Sequence, residues 1–204
     1  MADRTVVLLG DSIFDNAVYV EPGGTCVADH LRGRLGDGWN VELRAVDGAV
    51  VTDVRSQLYG HPLPDDAHLV LSAGGNDALG QINLLEGEAA GRPFAQVLRE
   101  VYSIRQNFRT AYDKLLELVT GFGRPVTVCT VYNPAYDDPE AQRLAETGLA
   151  FFNDVIVEEA LARDLPVIDL RRVCAERACF ANPIEPGDLG GQRIAEAIAR
   201  HVGA

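Results

Sequence analysis

The chain is poor in basic residues. Its 204 residues carry 18 Lys and Arg against 30 Asp and Glu, a net charge of −12 at pH 7. Nucleic-acid binding depends on clustered cations that displace counterions from phosphates, and this balance excludes it. The same deficit argues against an anionic membrane surface. Beyond that, net charge bears on solubility and not on fold. No window approaches the roughly 20 apolar residues needed to span a bilayer. The chain opens Met1-Ala2-Asp3-Arg4 and passes straight into a strand-like run. With no basic start, long apolar segment or small-residue cleavage site, a cytoplasmic location is expected. Cysteine is sparse: Cys26, Cys129, Cys174 and Cys179. No C-x-x-C pair or adjacent His suggests zinc. Cys174 and Cys179 are close enough to bridge, but four free thiols in a reducing compartment are expected. Histidine is sparse too, with none between His68 and His201.

What is present is a regular alternation. Apolar, β-branched runs stand at Val6–Leu9, Val41–Val46, Leu69–Ser72, Val126–Val131 and Val167–Leu170. Stretches with helical spacing lie between and after them: Thr25–Leu35, Val50–Tyr59, Pro93–Val119, Pro139–Arg163 and Leu189–Val202. In the longest, Val97, Val101, Ile104, Phe108, Tyr112, Leu115 and Leu118 form one apolar face, and Pro93 suits the first turn. Strand and helix in turn predict an α/β, three-layer α/β/α sandwich of flavodoxin-like form. It would have a five-stranded parallel sheet, with the first strand beside the second and third. No repeat, linker or low-complexity tract divides residues 1–204, which read as one domain. Three loops exceed a bare connection: Asp11–Gly24, Gly74–Arg92 and Glu176–Asp188. All should lie over the rim at the carboxyl ends of the strands, and long loops in compact domains are often functional.

Gly10-Asp11-Ser12-Ile13 closes the first strand. A serine there stands where open α/β sheets bind ligands, and it can serve as a nucleophile if a neighbour takes its proton. Gly48 follows the second strand and Asn76, in Gly74-Gly75-Asn76-Asp77, the third. Taken singly, each reads as a turn or cap residue. Together, at three successive strand ends, they read as a site. Asp11 and Asp15 would fix the first loop by hydrogen bonds to backbone, and Asp53 reads as a solvated charge. Tyr132-Asn133-Pro134 and Phe151-Phe152 suggest an aromatic wall, although helix-borne Phe151 and Phe152 also suit the core.

In its motifs and in the order of its elements, nearly the whole chain resembles the SGNH (GDSL) hydrolase superfamily of esterases, lipases and carbohydrate deacetylases. The resemblance implies that Ser12 is the nucleophile. It implies an oxyanion hole made of the Ser12 and Gly48 backbone N–H groups and the Asn76 amide. It places Asp11 with the substrate-binding surroundings. The family usually carries D-x-x-H-P before the last helix. Here the segment runs Asn182-Pro183-Ile184-Glu185-Pro186, which puts Glu185 where the family has the His base and Asn182 where it has the Asp. His61 and His68 belong to the opposite rim and His201 to the far end of the last helix. His30 lies inside the first helix with its facing open. Glu185 is thus either an exposed carboxylate ahead of a helix or a base with a raised pKa. Burial would raise that pKa and the helix end would lower it. The expected activity is hydrolysis of a small-molecule ester through an acyl-enzyme on Ser12, with no metal or organic cofactor. Asn182, like Asp11, is expected to be substrate-binding. Alternatives are a non-catalytic binding protein with a degenerate site, and an acyltransferase whose Glu185 orients the acceptor. The sequence is silent on oligomeric state.

Overall fold

A computed structural model describes residues 4–81 and 91–203. The first strand, β1 (Arg4–Gly10), has Val6, Val7, Leu8 and Leu9 wholly removed from solvent. A strand apolar on both faces belongs in the middle of a sheet covered on both sides. Accordingly β1 pairs in parallel with β2 (Trp39–Leu43) on one side and β3 (Ala67–Ser72) on the other. Beyond β3 lie β4 (Val126–Cys129) and β5 (Val167–Ile168), also parallel, giving the order β2-β1-β3-β4-β5. The step from β1 to β2 runs one way and every later step the other. Right-handed crossovers therefore put α1 (Val27–Leu35) on one face. They put α2 (Val54–Tyr59), α4 (Phe94–Thr120) and α5 (Pro139–Leu161) on the other. The last helix, α7 (Asp188–Val202), packs along α1, while α4 packs along α5. The reversal of order between β1 and β3 is the switch point where such sheets bind ligands.

Element ends differ from the sequence reading where side chains or turns replace the ladder. The second strand stops at Leu43 because the Arg44 and Ala45 N–H groups both turn to the Leu8 carbonyl, and Val46 N–H to that of Gly10. The fourth stops at Cys129, since the Val131 backbone is taken by the Asn153 amide, which accepts from its N–H and donates to its carbonyl at 2.8 and 2.9 Å. The fifth is short because Asp169 caps a further turn, α6 (Leu170–Val173). Pro93 sits just before α4 as its N-cap, whereas Pro139 does occupy the first turn of α5, behind the capping Asp138. A five-residue helix, α3 (Gly75–Leu79), follows β3 and was not evident from periodicity. Residues 82–90 of the expected Gly74–Arg92 loop and the opening Met1–Asp3 lie outside the described residues. Among the described residues no helix is long and apolar enough to cross a membrane. Cys129, Cys174 and Cys179 are buried and Cys26 half-buried, all as free thiols.

The end of β1 shows why the chain has glycine there. Gly10 has φ +133°, and a Cβ on it would meet the Ser72 carbonyl oxygen at 1.7 Å. That contact is available only to glycine. The backbone of Gly10 is held by the buried Gln57 of α2, whose Oε1 accepts from its N–H at 2.9 Å and whose Nε2 donates to its carbonyl at 2.7 Å. Replacing Gln57 by Met keeps the bulk, leaves the Gly10 N–H unpaired out of water and leaves its carbonyl with the Val46 N–H alone. The expected loss is about 1–3 kcal/mol of unfolding free energy, read as a lower midpoint in urea.

Candidate active site

Each site residue is delivered by a strand end or by a loop folded over the strand ends. Ser12 and Asp11 stand in the tight turn after β1, where Phe14 and Asp15 N–H groups return to the Asp11 carbonyl. Asn76 lies in α3, just after β3. Glu185 comes from the loop before α7, which is fixed from several sides. Ala181 N–H donates to the Glu185 carbonyl and Gly187 N–H to that of Cys179, both at 2.9 Å. Asn182 Oδ1 accepts from the Ile184 and Glu185 N–H groups at 3.0 and 2.9 Å. The helix start beneath is tight enough that a Cβ on Gly190 would meet the Cys179 carbonyl oxygen at 2.1 Å.

These pieces bring Ser12 and Glu185 together. The Ser12 hydroxyl donates to Glu185 Oε1 at 3.1 Å, and the two side chains are 7% and 6% exposed. The other carboxylate oxygen, Oε2, is buried with no hydrogen-bond partner among the described residues. Burial pushes the Glu185 carboxyl up to about 7. The Ser12 hydrogen bond opposes this and the Asp47 charge adds to it. Desolvation, one of the two influences weighed from the sequence, is the largest cause of the shift. Asp11 is 1% exposed. Its Oδ1 accepts from Ile13 N–H at 3.1 Å and its Oδ2 is unpartnered. Burial raises its carboxyl to about 7 as well, against the Ile13 hydrogen bond and with help from the Glu185 charge.

Ser12, Asp11, Asn76 and Glu185 all line one cavity of about 150 Å³. Tyr132, Phe151 and Phe152 line it too; Tyr132 and Phe152 also belong to the core, with Phe152 packed edge-on against Phe108 at 4.8 Å, whereas Phe151 does not. Gly48 and Asn182 are not on that wall. Gly48 is exposed, at φ +79°. Its turn is tied to the site by Asn76 Nδ2, which donates to the Ala49 carbonyl at 3.0 Å, and by Asp77, which accepts from Val51 N–H at 3.0 Å. Asp15 holds the same turn through Asp47 N–H at 3.0 Å, and Asp53 accepts from Val50 N–H at 3.1 Å. Neither the Ser12 nor the Gly48 N–H meets an acceptor among the described residues.

The histidines sit elsewhere. His30 Nε2 pairs with Asp188 at 2.8 Å, His68 with Thr127, and His201 with the Ala197 carbonyl, while His61 is exposed. None lines the cavity. Among the described residues no group of three or more His, Cys, Asp or Glu is placed to hold a metal ion. Sequence reasoning missed Asn16, which is wholly buried. Its Nδ2 donates to the Pro186 carbonyl at 2.9 Å and its Oδ1 accepts from Val27 N–H at 3.0 Å, joining the Ser12 loop to the Glu185 loop. It also missed Gln57 and Asn153. The available signal was an amide residue on an otherwise apolar helix face.

The model of the GDSL-like lipase/acylhydrolase family matches residues 8–190. No curated protein sequence matches the chain. Among solved structures, an acetyl xylan esterase superposes with a TM-score of 0.71 at 16% identity, covering 97% of this chain and 99% of its own. A lipase from a goat rumen metagenome gives 0.71 at 17% identity, with 98% and 97% covered. Phospholipase A1 from Streptomyces albidoflavus gives 0.67 at 17% identity, with both chains fully covered. At such identities the likeness is one of fold.

The raised Glu185 pKa has a consequence for stability. The folded chain favours the protonated carboxyl, so this group's contribution is fully present below about pH 4.5. It is lost as pH rises toward 7. Glu185→Gln removes the ionisation. Its stability relative to the natural chain should be flat in acid, climb between pH 4.5 and 7, and level off on the order of 1–3 kcal/mol higher. Thermal unfolding of both proteins at pH 4, 6 and 8 checks this, and a constant difference would contradict the buried carboxylate.

Proposed function

The chain belongs to the GDSL-like lipase/acylhydrolase family, and from that premise we propose that it is a serine hydrolase of small esters with Glu185 as its base. The observation that carries the reading is the buried hydrogen bond from Ser12 Oγ to Glu185 Oε1, 3.1 Å long, at the wall of an apolar cavity. An unperturbed glutamate is a weak base for a serine hydroxyl. A carboxylate raised to about 7 is matched to neutral pH.

In this reading Ser12 Oγ attacks the ester carbonyl carbon while its proton passes to Glu185. The carbonyl oxygen becomes an oxyanion facing the Ser12 N–H, the Gly48 N–H and the second N–H of the Asn76 amide. As the tetrahedral intermediate collapses, the C–O bond to the alcohol breaks and Glu185 returns the proton to the departing oxygen. The acyl group stays on Ser12. Water then gives its proton to Glu185 and attacks the acyl carbon, releasing the acid and restoring the serine. Asn182 positions the base through backbone and does not touch the substrate. Asp11, adjacent on the cavity wall, supports the serine turn. The proposed location remains the cytoplasm.

A fluorophosphonate probe should label Ser12, and Ser12→Ala should abolish labelling. Glu185→Gln should lower kcat/KM for ester hydrolysis by about 10²–10⁴-fold. Asn76→Ala should cost about 10²–10³-fold in kcat. Since only the ionised carboxylate accepts a proton, kcat/KM should rise through pH 7 and flatten above it. Labelling of wild type with no loss in Glu185→Gln would remove Glu185 from the mechanism. Failure to label at all would leave a binding pocket.

A further inference from the structure

The cavity beside Ser12 extends well past the reacting groups. From the end formed by Asp11, Ser12, Asn76 and Glu185 it runs between α4 and α5, along Val101, Ile104, Ala145, Gly148, Leu149 and Phe152. The four α5 residues fall at i, i+3, i+4 and i+7, a single stripe about 10 Å long. Phe151, 36% exposed, marks where it reaches solvent. Arg105 is the cation on this wall, and its guanidinium is engaged by Asp154 at 2.5 Å and Glu158 at 2.8 Å. The charges at the other end are the carboxylates of Asp11 and Glu185. Among the described residues the groove thus offers nothing to an anionic group and carbon surface to an alkyl chain.

Gly148 is part of this wall. It lies deep inside α5, where glycine is the least favourable residue short of proline.

We propose that this groove receives the uncharged alkyl chain of the substrate's acyl group, and that the preferred substrates are neutral esters of medium-chain fatty acids. An extended chain of on the order of eight carbons spans the length of the stripe. The proposal rests on Ser12 being the acylated residue, because the groove begins there. It distinguishes this protein from an enzyme specialised for acetyl groups, which would have no use for the stripe.

The test is the kcat/KM series for p-nitrophenyl acetate, butanoate and octanoate. Each methylene taken from water into the groove should add about fourfold. Octanoate should then exceed butanoate on the order of 10²-fold. In Gly148→Leu the octanoate-to-acetate ratio should fall by at least about tenfold, and Ala145→Leu should do the same from one turn earlier. Gly148→Leu places a better helix former in α5 and Ala145→Leu one close to alanine, so the chain should still fold, which its melting curve checks. A wild-type preference for acetate, or a ratio unchanged in both variants, overturns the proposal. Hydrolysis of none of the three esters defeats the hydrolase reading instead. The groove is then judged on Ser12→Ala by displacement of a polarity-sensitive dye with 2-hexanone and 2-decanone. The longer ketone should bind at least about tenfold tighter, an advantage lost on adding Gly148→Leu. Equal binding of the two ketones overturns the groove as well.

Discussion

A carboxylate withheld from water is the constraint to which the C-terminal loop answers. Glu185 is 6% exposed, and among the described residues no cation pairs with it and one of its two oxygens lacks any hydrogen-bond partner. Such a group is costly to bury and would swing outward if its backbone allowed. It is not allowed to. Asn182 takes two backbone N–H groups, Asn16 reaches across to Pro186, and Phe180 bridges Pro186 as a one-residue antiparallel pair. Pro183 accepts from Ala135 N–H at 2.7 Å, and Tyr132 donates to the Ile184 carbonyl at 2.7 Å. Every one of these bonds is made to backbone. The loop is shaped without using the glutamate side chain, which leaves that side chain strained against its solvation and available to Ser12.

The same economy appears at the rim of the sheet. Parallel strands diverge as the sheet twists, and their last peptide groups lose ladder partners. Two side-chain amides fill in, Gln57 on Gly10 and Asn153 on Val131, each offering a donor and an acceptor as a strand would. The walls of the cavity are fixed by charge. Arg105, Arg109 and Arg163 of the α4–α5 side pair with Asp113, Asp154, Glu158 and Glu159. Exposed pairs of this kind are individually weak, but here they share partners and bridge two helices along the groove.

The sheet was legible in the sequence because burial on both faces writes itself as unbroken apolar runs. Val6–Leu9 and Leu69–Leu71 are of that kind. The site was half legible. Gly10, Ser12 and Asn76 stand at strand ends, and a strand end is recoverable from the run before it. Strand lengths were not, because Leu43 and Cys129 are the last paired residues for reasons that lie in distant peptide and amide groups. Glu185 could be placed by position only, since its facing depends on a loop whose bonds join residues far apart in sequence. Gln57 and Asn153 showed only as amides on apolar helix faces, and Asn16, in a loop, left no periodic trace. Each binds backbone, and any backbone group of suitable position would have served.

Ser12 and Glu185 are separated by 173 positions, almost the span of the chain. The serine turn sits on the central strand, whose partners β2 and β3 come soon after it. The glutamate arrives with the last loop and is secured from the N-terminal side by Asn16. A ribosome-bound or partly folded chain can therefore display Ser12 without its carboxylate partner. In the proposed mechanism, chemistry at the serine is a signature of completed assembly, switched on by the final docking event and extinguished by the first local opening of that segment. Measured during refolding, it would time the closure of the tertiary structure more sharply than helix content, which the two long helices α4 and α5 supply locally.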